Sequence, residues 1–214
     1  MIKEQFLISN LEPDFTMTKN LPILIVEDEL ITASAIEELL TEEEYDLIGI
    51  AKDAITALKL CSESATPVSL ILCDINIKGT MQGPELAAIL KEKYKCEIIF
   101  LTAHSDAKTL TEAFKNDPVM YVVKPYTDKQ LLVALQMAFH KIYTSHKTDD
   151  RQLLQLTDRE KEITQMVAEG MSSKQVASKL VISIETVKTH RRHILQKNNL
   201  NNFSQLIYLM NKSS

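Results

Sequence analysis

At 214 residues, with 25% charged and 45% hydrophobic residues, the chain is long enough for two modest globular domains. No apolar run approaches the ~18 residues of a membrane span, and Met1 to Asn20 lacks the basic-then-apolar order of a secretory signal. The net charge of −5 conceals an asymmetry: residues 1–150 hold 14 Lys+Arg against 24 Asp+Glu (net −10), residues 151–214 hold 10 against 5 (net +5). An acidic first part and a basic last part predict two domains with different partners, nucleic acid being the natural one for the second. Cys61, Cys73 and Cys96 are odd in number and far apart, with no metal-type spacing, so a reducing cytoplasm is expected.

In chain order, residues 1–20 show no sustained periodicity and read as an N-terminal extension. Pro22–Val26 is an apolar strand that runs straight into Glu27-Asp28-Glu29, followed by a helical pattern through Ile36, Leu39 and Leu40 to Glu42–Glu44. A second strand, Leu47–Ala51, leads to a helix holding Ile55, Leu58 and Cys61. The third, Leu70-Ile71-Leu72-Cys73-Asp74, ends in one carboxylate and a polar loop with Gly79 and Gly83, before a helix carrying Leu86, Ile89 and Leu90. Ile98–Leu101 is a fourth strand ending at Thr102-Ala103, with a helix expected through Leu110, Ala113 and Phe114. Val119–Val123 is a fifth, closed by Lys124-Pro125, and a last helix runs from about Asp128 to Ile142. Five strand–helix alternations with strands buried on both sides predict an α/β domain, its parallel sheet covered by helices on both faces.

The strand ends then collect on one edge of that sheet, where ligands gather in such folds. They are Glu27 and Asp28 (first strand), Asp74 (third), Thr102 (fourth) and Lys124 (fifth). Each alone has an ordinary explanation: acids cap helices, Thr suits strands, and Lys before Pro marks a turn. Together they suit phosphoryl transfer to a carboxylate. Clustered acids repel a phosphoryl dianion, so a divalent cation is needed, and Mg²⁺ fits an oxygen-only site that keeps several waters. Glu27, Asp28, Asp74 and the backbone carbonyl of Asn76 form the expected metal set. Asp74 is the expected nucleophile, Lys124 offers a compact cation to one phosphoryl oxygen, and Thr102 offers a hydroxyl to another.

The segments Val26-Glu27-Asp28-Glu29, Asp74, Thr102-Ala103 and Tyr121-Val122-Val123-Lys124-Pro125-Tyr126 resemble the receiver domain of bacterial two-component response regulators across residues 21–144. The resemblance implies a flavodoxin-like five-stranded sheet of order 2-1-3-4-5. It also implies a histidine kinase as phosphoryl donor and a switch pair falling on Thr102 and Tyr121. Two departures stand out: Glu27 replaces the commoner first Asp, and Ile77–Gly83 lacks the usual Met-Pro and is one residue longer, a change that bears on kinase recognition and phosphoryl lifetime. A haloacid-dehalogenase-like phosphatase also uses a strand-end Asp with a Thr and a Lys. It needs a second Asp where this chain has Asn76, and it places its acid pair after the Lys. The chain is therefore expected not to be an enzyme.

Residues 145–153 are polar and read as a linker. The helix starts of residues 154–214 carry capping signals: Thr157 with Glu160, Ser172 with Gln175, Ser183, and more weakly Asn202 with Gln205. Gly170 sits where the first of these helices should stop. Ser172–Leu180, a Val181-Ile182-Ser183 turn and Ile184–Lys197 have helix-turn-helix proportions, and the second of these helices is cationic on its outer face. Leu156–Glu160, Ala168-Glu169-Gly170, Val176-Ala177 and Ser183–His190 resemble the LuxR/NarL-type DNA-binding domain. That implies an all-α four-helix module whose third helix enters the major groove, with Lys188, Thr189 and Arg192 facing base edges. Lys174, Thr186, Arg191 and Lys197 are the expected phosphate contacts. Asn198 stands where the family has Leu, and Phe203 where it has Arg.

The expectation is a cytoplasmic, phosphorylation-dependent transcription factor: a receiver accepting a phosphoryl group on Asp74 and controlling a DNA-binding domain, a homodimer when phosphorylated or bound to double-stranded DNA, with no membrane partner. The alternative keeps the receiver and makes the last domain a protein-interaction module.

Overall fold

The computed structural model describes residues 21–103, 111, 115–145 and 154–212. The expected extension 1–20, the helix through Leu110, Ala113 and Phe114, and all of the expected linker except Ser145 lie outside the described residues. Strands β1 (Ile23–Val26), β2 (Leu47–Ala51), β3 (Leu70–Asp74), β4 (Glu97–Thr102) and β5 (Met120–Val123) form one parallel sheet of order β2-β1-β3-β4-β5.

The two-residue alternation of each strand feeds two separate cores. Ile23 and Ile25, Leu70 and Leu72, Ile99 and Leu101 face one side, under α1 (Leu30–Glu42) and α4 (Asp128–Ser145). Leu24 and Val26, Ile71 and Cys73, Ile98 and Phe100 face the other, under α2 (Ala54–Glu63) and α3 (Gly83–Tyr94). Because β1, β3 and β4 are buried on both faces, they read in the sequence as unbroken apolar runs.

The C-terminal part is helical: α5 (Asp158–Ala168), α6 (Ser173–Leu180), α7 (Ile184–Lys197) and α8 (Phe203–Lys212). Three of its helix starts are closed by the side chains that the sequence offered. Thr157 and Glu160, then Ser172 and Gln175, form reciprocal capping boxes, and the Ser183 hydroxyl accepts from the Thr186 N–H at 3.0 Å. Gln205 N–H donates to Asn202 Oδ1 at 2.9 Å at the fourth. The Asn198 departure has a physical reason. Buried at the end of α7, its side chain accepts from Gln155 N–H at 2.7 Å and donates to the Gln155 and Ile194 carbonyls at 3.2 and 2.8 Å. A leucine would leave the Gln155 backbone groups without these partners.

The apolar cluster on the α1/α4 side of the sheet continues without a break into Ile163, Val176, Ile194 and Leu206. Helix α4 joins the two parts. Its Gln136 Nε2 donates to the Val167 carbonyl at 2.6 Å, Tyr143 and Asn202 share hydrogen bonds of 2.9 and 3.2 Å, and Tyr143 tilts against Tyr208 at 5.5 Å. Gly170 (φ +82°) lies against α4, and a Cβ there would come within 2.6 Å of Val133 Cγ2 and 3.2 Å of the Lys129 carbonyl. Gly170 therefore does more than stop α5: it permits the close approach of α4.

Candidate functional site

Sheet register assembles the first site. Val26 pairs with Cys73, which sets Glu27 beside Asp74; Asp74 pairs with Leu101, one residue before Thr102; and Thr102 pairs with Val123, one residue before Lys124. Because neighbouring parallel strands lie ~4.8 Å apart, four strand ends deliver their next side chains to one crevice. Lys124 Nζ sits 2.5 Å from Asp74 Oδ2 and 2.6 Å from Glu27 Oε2. Carboxylate oxygens of Glu27, Asp28 and Asp74 lie within 4.8 Å of one another. Asn76 N–H donates to Asp74 Oδ1 at 3.0 Å, orienting the carboxylate from its own loop. Thr102 is buried at the end of β4, and its carbonyl accepts the Lys124 N–H at 2.7 Å.

Burial is the largest influence on Glu27 and pushes its carboxyl above the usual range, against the Lys124 hydrogen bond that lowers it. Burial alone would lower Lys124, but the hydrogen bonds and charges of Asp74 and Glu27 more than reverse it and hold the ammonium protonated. Three acids against two lysines, Lys124 and the exposed Lys78, still leave an excess of negative charge, and the all-oxygen donor set suits a hard divalent cation. Tyr121, the other expected switch residue, is half-buried with its ring stacked on Phe100 at 5.7 Å, and burial pushes its phenol up to about 12.

The loop after Asp74 explains one glycine and one lysine. A Cβ on Gly83 would lie 2.2 Å from the Asp74 carbonyl oxygen, so α3 can start hard against the end of β3 only with glycine. The lengthened loop carries Lys78 back to Asp28, Nζ to Oδ2 at 3.3 Å, and pairs Lys78 with Asp53 as an isolated β-bridge. Lys78 stands out in the sequence only as a departure; nothing there shows that it reaches the acid pair across the loop.

The second candidate site is the outer face of α7, with Lys174 from α6. Thr186, Thr189, Arg192 and Lys174 are exposed, Lys188 is half-buried, and Lys197 leans on Glu160 at 3.2 Å. Arg191 corrects the expectation of a free phosphate contact. It is only 4% exposed, because its guanidinium is ion-paired to Glu43 at the end of α1 and stacked over the Phe203 ring at 4.8 Å. The sequence does not single out Glu43 as the partner of Arg191: it appears there as one of three glutamates ending a helix. Phe203, the other departure, is core and supplies the ring under Arg191.

With this geometry described, comparison with known proteins gives two family matches. Residues 23–136 match the response regulator receiver domain, and residues 154–210 match the bacterial regulatory proteins of the luxR family. The chain is similar to the transcriptional regulatory protein TdiR of Thauera aromatica, 29% identical over 90% of this chain and 86% of that one. It is also similar to the nitrate/nitrite response regulator protein NarL of Escherichia coli K12, 28% identical over 82% of this chain and 88% of that one. Among solved structures, the signal receiver domain of a modulated diguanylate cyclase from Desulfovibrio desulfuricans aligns with a TM-score of 0.54 and 31% identity, over 58% of this chain and 97% of that one. Among the described residues no helix is long and apolar enough to cross a membrane.

Proposed function

The chain belongs to the response regulators, a receiver domain joined to a LuxR-family helix-turn-helix in a DNA-binding transcriptional regulator, and from that premise we propose that Asp74 is the phosphoacceptor through which the receiver controls DNA binding. The observation that carries this reading is the Glu27–Asp28–Asp74 cluster with Lys124 bonded to its centre. In the transfer, a carboxylate oxygen of Asp74 attacks phosphorus, and the bond from phosphorus to the imidazole of a sensor histidine kinase breaks as the new P–O bond forms. Lys124 shifts from Asp74 to a phosphoryl oxygen, and Thr102 donates its hydroxyl to another. Glu27, Asp28, Asp74 and the Asn76 carbonyl would hold Mg²⁺, whose charge offsets that of the phosphoryl group. The Thr102 and Tyr121 pair then carries the change in charge to the outer face of β4 and β5. The phosphoryl group ends on the protein itself, so the chain acts as a regulator rather than as an enzyme turning over a substrate.

The exposed Leu30 and Ile31, 78% and 80%, lie on the first turn of α1 directly after the acid pair and offer the kinase an apolar footing beside Asp74. On DNA, Lys188, Thr189 and Arg192 read base edges, while Lys174, Thr186 and Lys197 contact phosphates. A homodimer on a two-fold-related site, in the cytoplasm, completes the reading, with residues 21–144 and 154–214 as its two domains. Incubation with a small acyl phosphate and Mg²⁺ tests the acceptor: the wild type becomes labelled and Asp74→Asn does not. Equal labelling of the variant would refute the assignment.

A further inference from the structure

From Gly170 to Ser214 the chain holds one acidic residue, Glu185, and it stands in the first turn of α7. Helical spacing sets its direction. Residues 185, 188, 189 and 192 follow the i, i+3, i+4, i+7 rule, so Glu185 begins the same stripe as Lys188, Thr189 and Arg192. Along that stripe Glu185, Thr189 and Arg192 are exposed and Lys188 is half-buried. Val187, Arg191 and Ile194 form the buried stripe on the opposite side of the helix. A lone carboxylate therefore heads the face that the proposed function turns toward the bases, in a stretch that is otherwise cationic.

The usual structural tasks of a glutamate in a first turn do not account for it. Glu160 and Gln175 close the capping boxes of α5 and α6 from the third helical position. In α7 that position is Thr186, whose N–H donates to Ser183 Oγ at 3.0 Å and whose hydroxyl lies 2.8 Å from the same oxygen. Glu185 sits one residue too early to take part. Ion pairs at i, i+3 do form in α5, Arg159 with Glu162 at 2.6 Å and Lys161 with Asp158 at 3.5 Å. The Glu185 carboxylate makes no such pair with Lys188, nor any hydrogen bond, among the described residues. The helix dipole favours an acid in this turn, but an acid at 184 or 186 would gain as much, and those positions lie off the stripe.

We propose that Glu185 is a specificity-determining residue of the DNA-binding module, accepting a hydrogen bond from the N4 amino group of a cytosine in the major groove. The inference rests on the DNA-binding reading and deepens it. Helix-turn-helix proteins present the N-terminal residues of the recognition helix to base edges, and Glu185 lies in that turn. In the major groove cytosine offers its N4 donor, whereas guanine presents the N7 and O6 acceptors and thymine presents O4 and a methyl group. An ionised carboxylate only accepts, so it attracts cytosine and repels guanine and thymine; adenine sets its N7 acceptor beside its one donor. At ~1.5 Å rise per residue Glu185 precedes Lys188 by ~4.5 Å, a little more than the ~3.4 Å between bases, so its base pair adjoins the one that Lys188 reads. The carboxylate repels the phosphates of every sequence alike, and only a cytosine at that position compensates, which makes it a device for discrimination rather than for affinity.

The test is selection of bound duplexes from a random-sequence pool by the full chain, with a small acyl phosphate and Mg²⁺ present, in the wild type and in Glu185→Ala. The wild type should show one position in each half-site where cytosine is favoured about tenfold, the low end of what a single base pair contributes. Glu185→Ala should lose that preference, keep the preferences at the other positions, and bind random duplex more tightly. A variant that keeps every wild-type preference, even at higher affinity, would mean that Glu185 only repels phosphates. A variant that loses its preferences at all positions would mean that Glu185 supports the helix instead. Either result, or a wild type that binds duplex without any cytosine preference, overturns the proposal. A wild type that binds no duplex at all would instead remove the DNA-binding reading on which the proposal stands.

Discussion

Two lysines reach the three acids of the Glu27–Asp28–Asp74 cluster, and they do so differently. Lys124 is mostly buried and holds Asp74 and Glu27 at 2.5 and 2.6 Å, whereas Lys78 is 77% exposed and touches Asp28 at 3.3 Å. An exposed pair contributes at most about 1 kcal/mol, so Lys78 competes weakly with a cation for Asp28. Lys78→Gln should therefore tighten Mg²⁺ binding by about two- to fivefold, measured by calorimetric titration. Weaker binding in the variant would mean that Lys78 supports the site instead. The cysteines give a pH prediction. Burial pushes the Cys61 thiol up to about 11 and Cys96 up to about 12, from an ordinary 9.0. Their contribution to stability is fully present below pH 9.0 and is lost as pH rises through 11 to 12, because the unfolded chain releases those protons first. Denaturant midpoints should fall over that range, and all three thiols should resist alkylation until the chain unfolds; rapid native alkylation at pH 8 would contradict their burial.

At the scale of elements, legibility followed local chemistry. The unbroken apolar runs of β1, β3 and β4 reveal strands buried on both faces, and Thr157/Glu160 and Ser172/Gln175 mark helix starts that the structure places at the same residues. The cluster around Asp74 was equally legible, since its residues close their strands or come just after them, and register brings them together. Contacts between distant residues were not. Glu43 and Arg191 are 148 positions apart, and the lysine that meets Asp28 comes from a loop whose path no periodicity describes. The turn between α6 and α7 was legible in position but not in conformation: Val181 adopts φ +55°, a left-handed backbone that β-branched residues rarely take, while 91% exposed. With no packing to lose, Val181→Asn should raise stability by about 1 kcal/mol, read as a higher denaturation midpoint. A lower midpoint would mean that the valine makes a contact worth more than the strain.

In the whole molecule, the two domains share one apolar cluster, with α4 packed on α8 and the end of α1 on α6 and α7. Helix α1 begins just past Glu27 and Asp28 and is capped by Glu43, so a single helix runs from the acid cluster to α7. Thr189 and Arg192, the proposed base contacts, remain exposed in this form, whereas Arg191 and the apolar face of α8 are covered. Under the proposed function, phosphorylation of Asp74 acts on this interface. A bistable interface of this kind responds to a ligand only through a difference in affinity between its two states. The most direct measurement is the affinity of the full chain for duplex DNA with and without a small acyl phosphate and Mg²⁺, in the wild type and in Asp74→Asn. The account predicts about tenfold tighter binding by the phosphorylated wild type and no response from Asp74→Asn. An equal response from both chains, or none from a fully phosphorylated wild type, would contradict it.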